Sequence, residues 1–468
     1  MSLEWQQAFR EAVLDVPKYG SNIHYTQSAD MLRRLIREGP LQLTDLRDEP
    51  ERFFASHRVL SEFATQVGPG FGIRFTVQVN LFAGSILALG NPKQVEHLHE
   101  VQKKGLLGCF CLTERLAGVN SGLVVNTAAV WDEGKQMFLL DCPDEGSQKN
   151  WISQGLTADM AVVIATLFVK GKSYGPHAFV MQMRGEDGKL CPGVKAEDMG
   201  DKTIGNDLDN GRITFSKVWL PASALLNRYS GIENNEYVKQ KGVSNMDMIG
   251  QRLYTGRTVI AASTLVFART LYKNTQAYTD NKKCWNPKGP VPLSNIPQLS
   301  NLYKEADVEL SRVEALCAIV EKGLGACLRN DTIPDENLVE QVACLKVKAI
   351  ETTIKYCFRL KQEVGSYALM AGTGFEKMDY LQCCKFAEGD SRILMQKISR
   401  DRLLAFSKKQ EGAKEEVALC SVLGQKLMKG GAAGWNDNWK DVYGLAEVVI
   451  ERVTKQASGK PAAPVSKL

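Results

Sequence analysis

Two changes of residue pattern divide the 468-residue chain and constrain its fold more than any other feature. Residues 1–104 carry apolar side chains at three- and four-residue spacing, which is typical of helices that bury one face. Residues 105–225 instead contain short apolar runs separated by glycine-bearing turns, which favour strands. The helical spacing returns over residues 226–456, and residues 457–468 read as a flexible tail. The chain is therefore predicted to be an α+β protein with an N-terminal helical domain, a central β domain and a C-terminal four-helix bundle.

Several strands of the central region are predicted individually. The runs Thr127–Trp131 and Gln136–Asp141 predict a hairpin across a turn that contains glycine. Met160–Val169 is continuously apolar, as a strand buried on both faces would be. His177–Met183 and Arg212–Val218 predict two further strands.

Two long apolar stripes mark the C-terminal region. One runs over Leu302–Leu324 and the other over Leu338–Leu360, both at helical spacing. Before the first stripe, the proline-rich residues 287–297 predict a loop, since proline interrupts a helix. Long helices with short connections indicate a bundle of antiparallel helices.

Composition excludes several classes of function. The net charge of +5 is spread along the chain, without the basic stripe that nucleic-acid binding needs. No segment is expected to reach the roughly 18 uncharged apolar residues of a membrane span. The 12 cysteines form no CxxC pair and the 5 histidines show no ligand spacing, so no metal site is predicted and the thiols are expected to be free. Neither a dinucleotide-binding GxGxxG nor a GxSxG elbow is present.

The last three residues, Ser466-Lys467-Leu468, form a tripeptide that peroxisomal import receptors read. They follow a segment of alanine, glycine, lysine and proline that would present them to a receptor. The sequence therefore predicts a peroxisome, or a related microbody such as a glyoxysome or glycosome, with the import receptor as a partner.

Three segments carry a family resemblance, and the first is Gly108–Glu114 with Gly118 after it. It resembles the strand-and-loop signature of the acyl-CoA dehydrogenase and oxidase superfamily. The resemblance implies that FAD is the cofactor, that Leu112 lies against the flavin ring and that Thr113 contacts its pyrimidine side, with Gly118 in the turn that follows. Donors near that side stabilise the negative charge that the ring gains on reduction. Taken alone, the segment could equally be the end of an ordinary strand.

The second segment, Lys149–Ser153, resembles the Trp-Ile-Thr segment of the same family. The resemblance implies that Trp151 packs against the isoalloxazine and that the Ser153 hydroxyl donates near N5, where hydride arrives. Serine keeps the hydrogen-bond donor of the family's threonine. An isolated Trp-Ile-Ser would more often belong to a hydrophobic core.

The third segment, Phe386–Asp390, resembles the aromatic-Glu-Gly turn of the family. The resemblance implies that Glu388 is the base that takes the α-proton of an acyl thioester, with Gly389 and Arg257 at the substrate and Asp390 at the cofactor. Because that proton is weakly acidic, removal from water should raise the pKa of the glutamate towards neutrality. The alternative is a solvated glutamate in a turn between helices.

Further positions are implied by weaker matches. The turn Met370–Phe375 resembles one whose glycines, here Gly372 and Gly374, approach the adenine half of FAD from a neighbouring subunit. Lys282 begins a run that replaces an arginine segment of the family, which binds the FAD pyrophosphate. Lysine keeps the charge but loses bidentate geometry, so weaker FAD binding is expected. A cofactor site shared between subunits implies a homo-oligomer, at least a dimer.

The chain also departs from the family pattern. Ala117 stands where the oxidase version of the first segment has histidine, and the stretch from Gly374 to Glu388 is shorter than expected. The second C-terminal helical domain of typical peroxisomal oxidases is not expected here. Asn80–Gly90, in contrast, resembles the oxidase branch.

The resemblance implies FAD-dependent α,β-desaturation of an acyl-CoA to a trans-2-enoyl-CoA, with electrons passed to O2 to give H2O2. Two alternatives remain at the level of sequence. One is an acyl-CoA dehydrogenase that uses another electron acceptor. The other is a non-catalytic member that binds acyl-CoA or serves as a partner subunit.

Overall fold

The computed structural model describes residues 2–20, 23–118, 121, 123–242 and 245–459, without the side chains of 245–252 and 432. The C-terminal tripeptide Ser466-Lys467-Leu468 lies outside these residues. The chain separates into two compact units, and each is described by itself. The first comprises residues 1–256 and 327–333, and the second comprises residues 257–326 and 334–468.

The first unit begins with helices. Their bounds are Leu3–Ala12 (α1), Asp15–Tyr19 (α2), Tyr25–Glu38 (α3), Asp45–Asp48 (α4), Pro50–Glu62 (α5), Ala64–Val67 (α6), Gly70–Thr76 (α7), Ala83–Leu89 (α8) and Pro92–Lys104 (α9), with a π-helical segment at Val77–Phe82. The last helix shows why the sequence stops and restarts here. Asn91 caps it through a reciprocal pair of hydrogen bonds with Gln94, Pro92 occupies its first turn, and Gly105 ends it in the left-handed conformation.

The run Gly70–Leu89 is, by length and composition, apolar enough to cross a membrane. It contains Arg74, so it is not an uncharged run of the kind that the sequence analysis considered. However, 83% of its most apolar window is buried inside the protein, which is the behaviour of a core helix. Its charged residue Arg74 is buried too and donates to the Asp209 carboxylate at 2.8 Å.

The central region consists of strands. Their bounds are Gly108–Cys111 (β1), Ala128–Asp132 (β2), Met137–Asp141 (β3), Lys149–Ser153 (β4), Met160–Val169 (β5), Lys172–Gln182 (β6), Val194–Asp198 (β7), Asn210–Phe215 (β8), Val218–Pro221 (β9), Ser230–Glu233 (β10) and Glu236–Lys239 (β11). One sheet has the order β1-β5-β2-β3-β9, with β6 also paired to β5. A second sheet has the order β4-β8-β7, and β10 pairs with β11. Side chains such as Phe138, Phe179 and Phe215 fill a common core.

Most of the strand predictions are confirmed. The predicted hairpin is β2 paired antiparallel with β3, and the apolar run Met160–Val169 is β5. The segment Arg212–Val218 differs, because it is divided between β8 and β9. Lys217, between the two strands, adopts a left-handed φ of 53°, which interrupts the extended backbone there.

Helices dominate the second unit. Their bounds are Asn245–Asn281 (α10, which begins in the first unit), Pro297–Asn330 (α11, whose last residues belong to the first unit), Glu336–Glu363 (α12), Asp379–Phe386 (α13), Ser391–Lys408 (α14), Lys414–Gly430 (α15), Gly434–Asp437 (α16) and Trp439–Ser458 (α17). The two apolar stripes lie within α11 and α12 as predicted. The segment predicted as a loop contains part of a small hairpin, Lys283–Cys284 (β12) paired with Val291–Pro292 (β13). The α+β fold class with helical N- and C-terminal parts is confirmed.

Candidate active site

The first site segment follows β1 and is held by a buried ion pair. The Lys149 ammonium donates to Glu114 Oε1 at 2.9 Å, to the Leu112 carbonyl at 3.2 Å and to the Ile164 carbonyl at 2.7 Å. Both charged side chains are fully buried. Burial lowers the pKa of Lys149, and the neighbouring Glu114 carboxylate opposes that shift. The pair therefore ties the backbone beside Leu112 and Thr113 to two strands.

The Glu114 carboxylate is saturated with donors. It accepts from the backbone N–H groups of Asn126 and Thr127 and from the Thr127 hydroxyl, at 2.7 to 2.9 Å. The Thr113 carbonyl accepts the Asn150 N–H at 2.8 Å. The structure thus brings the first and second segments of the sequence analysis together, and the buried Glu114–Lys149 pair explains the contact physically.

Trp151 is presented outward from β4 rather than packed in the core. Its φ is 59° and its side chain is 55% exposed, whereas the next residue, Ile152, is buried. A left-handed conformation at a non-glycine residue is uncommon and needs support from its surroundings. The alternative of a core tryptophan is therefore wrong, and the indole offers a flat apolar surface to a ligand.

Ser153 has its hydroxyl oriented by a neighbouring amide. The Asn210 side-chain N–H donates to Ser153 Oγ at 3.2 Å and to the Trp151 carbonyl at 3.5 Å. Because Oγ accepts this hydrogen bond, its own proton is available to donate elsewhere. Asn210 was not singled out in the sequence, since it lies 57 residues away and carries no local signal.

The next residue, Gln154, anchors the end of β4. It is buried with a φ of 68°, and its side-chain N–H donates to the Gly108 carbonyl at 2.8 Å. Its side-chain carbonyl accepts from Arg74 at 3.3 Å. These hydrogen bonds join β4, β1 and the buried helical run Gly70–Leu89, so the exposed Trp151 and its neighbour Ser153 are held on a rigid base.

Gly118 lies in a loop after the first segment. Its N–H donates to Ser121 Oγ at 3.0 Å, and no described atom lies within 4 Å of where a side chain would begin. Among the described residues, nothing near Gly118 requires glycine there, and its role at a cofactor stays a prediction.

In the second unit, Glu388 lies in a strained turn between α13 and α14. Its φ is 58° and that of Gly389 is 97°. Carboxylate oxygen Oε2 is buried without a hydrogen-bond partner among the residues that the structure describes. An unpartnered buried carboxylate oxygen is costly, so it marks a place where another group is expected to bind.

The electrostatics of this turn favour proton transfer near neutral pH. Burial raises the pKa of Glu388 from 4.5 to about 7, and the charges of Arg257 and Lys346 act against this rise. The direction of the rise is the one expected from the sequence, and the burial of Oε2 is unlike that of a fully solvated glutamate. A carboxyl group with a pKa near the working pH is suited to act as a general base.

Two cations hold the backbone of the turn. Arg257 Nε donates to the Glu388 carbonyl at 3.1 Å. The buried Lys346 ammonium donates to the Gly389 carbonyl at 2.6 Å and to the Lys385 carbonyl at 2.7 Å. Lys346 escaped the sequence analysis, although a lysine inside the apolar stripe of α12 was a signal that could have found it.

Asp390 has a structural role in this structure. Its carboxylate accepts the Arg392 N–H at 2.7 Å and caps the first turn of α14. Its predicted contact with a cofactor stays a prediction.

Gly372 and Gly374 lie in a turn with φ values of 81° and 89°, which explains the choice of glycine. Both N–H groups donate to the Glu376 carboxylate, at 2.9 Å each. These amides are therefore occupied by the chain itself.

Lys282 is exposed at the end of α10, close in sequence to the exposed Trp285 of the small hairpin.

Among the described residues, no group of three or more histidine, cysteine, aspartate or glutamate side chains could hold a metal ion.

No family model matches the chain. Curated relatives do match. The chain is 27% identical over 422 residues to the peroxisomal acyl-coenzyme A oxidase 2 of Arabidopsis thaliana, which covers 83% of this chain and 58% of the relative. It is 33% identical over 188 residues to the acyl-coenzyme A oxidase-like protein of Mus musculus, covering 40% of this chain and 30% of the relative. The chain thus matches less than two thirds of the length of either relative.

Solved structures share the fold. Acyl-CoA oxidase-1 of Caenorhabditis elegans, crystallised with FAD and ATP, matches with a TM-score of 0.76 at 17% identity, over 97% of this chain and 76% of that chain. Glutaryl-CoA dehydrogenase of Mycobacterium smegmatis matches with a TM-score of 0.66 at 19% identity, over 88% and 96%. At these identities the likeness establishes the fold.

Proposed function

Because the chain has the fold of the acyl-CoA oxidase and dehydrogenase superfamily and is related in sequence to acyl-CoA oxidases, we propose that it is an FAD-dependent acyl-CoA oxidase. It converts an acyl-CoA and O2 to a trans-2-enoyl-CoA and H2O2. The observation that carries the proposal is Glu388, whose buried oxygen Oε2 has no partner among the described residues and whose pKa is raised to about 7.

Glu388 is the proposed base. As a carboxylate it takes the α-proton of the thioester, and removal from water makes it a stronger base than an exposed glutamate. Gly389 and Arg257 are proposed to lie at the substrate. Arg257 and Lys346 are occupied at the backbone carbonyls of Glu388 and Gly389, and the Glu388 oxygen Oε2 has no hydrogen-bond partner among the described residues.

The first unit is proposed to supply the wall for the cofactor. The exposed Trp151 indole and the free hydroxyl proton of Ser153 fit a flat ring with hydrogen-bond acceptors at its edge. When bound, FAD accepts hydride from the β-carbon and passes two electrons to dioxygen. The other residues proposed to contact it are Leu112, Thr113, Gly118, Lys282, Gly372, Gly374 and Asp390.

Three further properties are part of the proposal. The predicted tripeptide and the peroxisomal relatives support a peroxisomal location through the import receptor. The proposed cofactor site shared between subunits implies a homo-oligomer. Oxygen is the preferred acceptor because the relatives that match are oxidases, while the dehydrogenase with the same fold makes another acceptor the second candidate.

The proposal is tested with purified protein. A flavoprotein should be yellow, with absorbance near about 450 nm that acyl-CoA bleaches under anaerobic conditions. Acyl-CoAs of graded length then identify the preferred chain. Recovery of the colour with formation of H2O2 on admitting oxygen identifies an oxidase, and bleaching without peroxide identifies a dehydrogenase. A colourless protein that binds no added FAD would contradict both.

A further inference from the structure

We propose that Lys346 is a positioning residue for the base: its buried ammonium holds the turn on which Glu388 stands and stabilises the Glu388 carboxylate. The inference rests on the proposed function, because it assigns Lys346 a role in proton abstraction. Lys346 is not itself expected to touch the substrate, since its three N–H donors are directed at groups of the chain.

The ammonium joins three parts of the chain. It donates to the carbonyl of Lys385, near the C-terminal end of α13, and to the carbonyl of Gly389 in the turn. Its third contact is Ser391 Oγ at 3.4 Å, in the first turn of α14. A cation at the C-terminal end of a helix also interacts favourably with the helix dipole. One buried side chain on α12 therefore fixes the spacing between α13 and α14.

This contact matters because the turn is strained. Glu388 and Gly389 both have positive φ, and a left-handed non-glycine residue costs roughly 1 kcal/mol or more. Such conformations persist where surrounding contacts determine them. Here both carbonyls of the strained pair are held by cations, that of Glu388 by Arg257 and that of Gly389 by Lys346.

The charge of Lys346 also acts on the carboxylate. Several ionisable groups surround the ammonium, namely Glu388, Arg257, Cys384 and Asp390. Burial lowers the pKa of Lys346 from 10.5 to about 7, while Cys384, Asp390 and Glu388 act to raise it and Arg257 to lower it. Lys346 in turn acts to lower the pKa of Glu388. Removing the charge is therefore expected to raise the pKa of Glu388 further.

The competing explanation is that Lys346 only caps α13. A cap would contribute to stability without influencing the pH at which the base ionises. The pH dependence of catalysis separates these roles, because removing a charge beside Glu388 moves the pH at which it ionises, whereas losing a cap that leaves Glu388 equally buried does not.

The measurement uses the flavoprotein. Lys346→Met removes the charge and keeps most of the stem, and Lys348→Met is the matched control, since Lys348 lies on the same helix and pairs with Glu451. The rate of anaerobic flavin reduction by acyl-CoA is followed from pH 5 to 9. We expect the acid limb of Lys346→Met to move to higher pH by about 0.5 to 1 unit and the limiting rate to fall about tenfold or more. Lys348→Met should retain the wild-type profile.

If Lys346→Met does not fold, Lys346→Gln, which keeps two N–H donors without the charge, replaces it in this measurement. An acid limb at the wild-type pH with a limiting rate within twofold of the wild type, in Lys346→Met or in Lys346→Gln, would overturn the inference. This outcome leaves the proposed function intact, because wild-type flavin is still bleached by acyl-CoA. Wild-type flavin that no acyl-CoA reduces would overturn the proposed function and the inference together.

Discussion

The two groups of site residues are stabilised in opposite ways. In the first unit, the tryptophan strand (Lys149–Ser153) rests on charges that are paired inside the protein, Lys149 with Glu114 and Arg74 with Asp209. In the second unit, the glutamate turn (Phe386–Asp390) retains a buried carboxylate oxygen without a partner among the described residues. The first arrangement is complete without a ligand and suits a surface on which a ring can lie. In the second arrangement one oxygen of the Glu388 carboxylate lacks a hydrogen-bond partner among the described residues. A carboxylate that transfers a proton needs such an unoccupied oxygen.

The largest effect is expected at the glutamate turn. Glu388→Gln keeps the size of the side chain but removes the base, so flavin reduction by acyl-CoA should slow by about 10³-fold. Flavin content and the absorbance spectrum should be unchanged, because Glu388 is not part of the proposed wall. Stopped-flow spectroscopy measures the rate. Full activity in this variant would show that another group is the base.

The second-largest effect is expected on the stability of the tryptophan strand. Lys149→Met leaves the Glu114 carboxylate buried without its partner, which should destabilise the first unit by about 3–5 kcal/mol. Chemical denaturation measures the loss. The double variant Lys149→Met/Glu114→Gln is the control, and it should recover part of the stability because the uncompensated charge is gone. A single variant as stable as the wild type would mean that the pair does not support the strand.

A smaller effect separates capping from cofactor binding at Asp390. Asp390→Ala removes the cap of α14 and should lower stability by about 1 kcal/mol. Asp390→Asn can still cap the helix, so it should retain stability. Titration with FAD then tests the predicted contact. If both variants bind FAD as the wild type does, Asp390 is only a cap.

The smallest effect concerns the orientation of Ser153. Asn210→Ala removes the amide that donates to Ser153 Oγ, which should slow flavin reduction two- to fivefold, for a hydrogen bond of about 0.5–1 kcal/mol. Asn206→Ala, in the exposed loop before β8, is the matched control. Equal rates in the two variants would show that Asn210 does not orient the hydroxyl.

The sequence predicted what depends on local pattern and missed what depends on contacts distant along the chain. The strand at Met160–Val169 and the apolar stripe of α12 follow from periodicity alone. The rise in the pKa of Glu388 was expected from its motif and from the physics of burial.

Two residues that support the site were not found in this way. Asn210 reaches Ser153 across a sheet, and Lys346 reaches Gly389 over 43 residues. The stripe of α12 marks Lys346 as unusual, but neither its contact with Gly389 nor that of Asn210 with Ser153 can be recognised until the fold brings the residues together. The break after Phe215 was missed for a different reason, since lysine at position 217 gives no sign of a left-handed backbone.

The left-handed conformation of Glu388 has a consequence for protein engineering. Glycine would adopt this backbone without steric cost, and it would also remove the unpartnered carboxylate oxygen. Selection for heat resistance alone would therefore favour Glu388→Gly, a replacement that abolishes the proposed chemistry. At position 388, variants selected only for stability should carry glycine, whereas variants selected for turnover should keep glutamate.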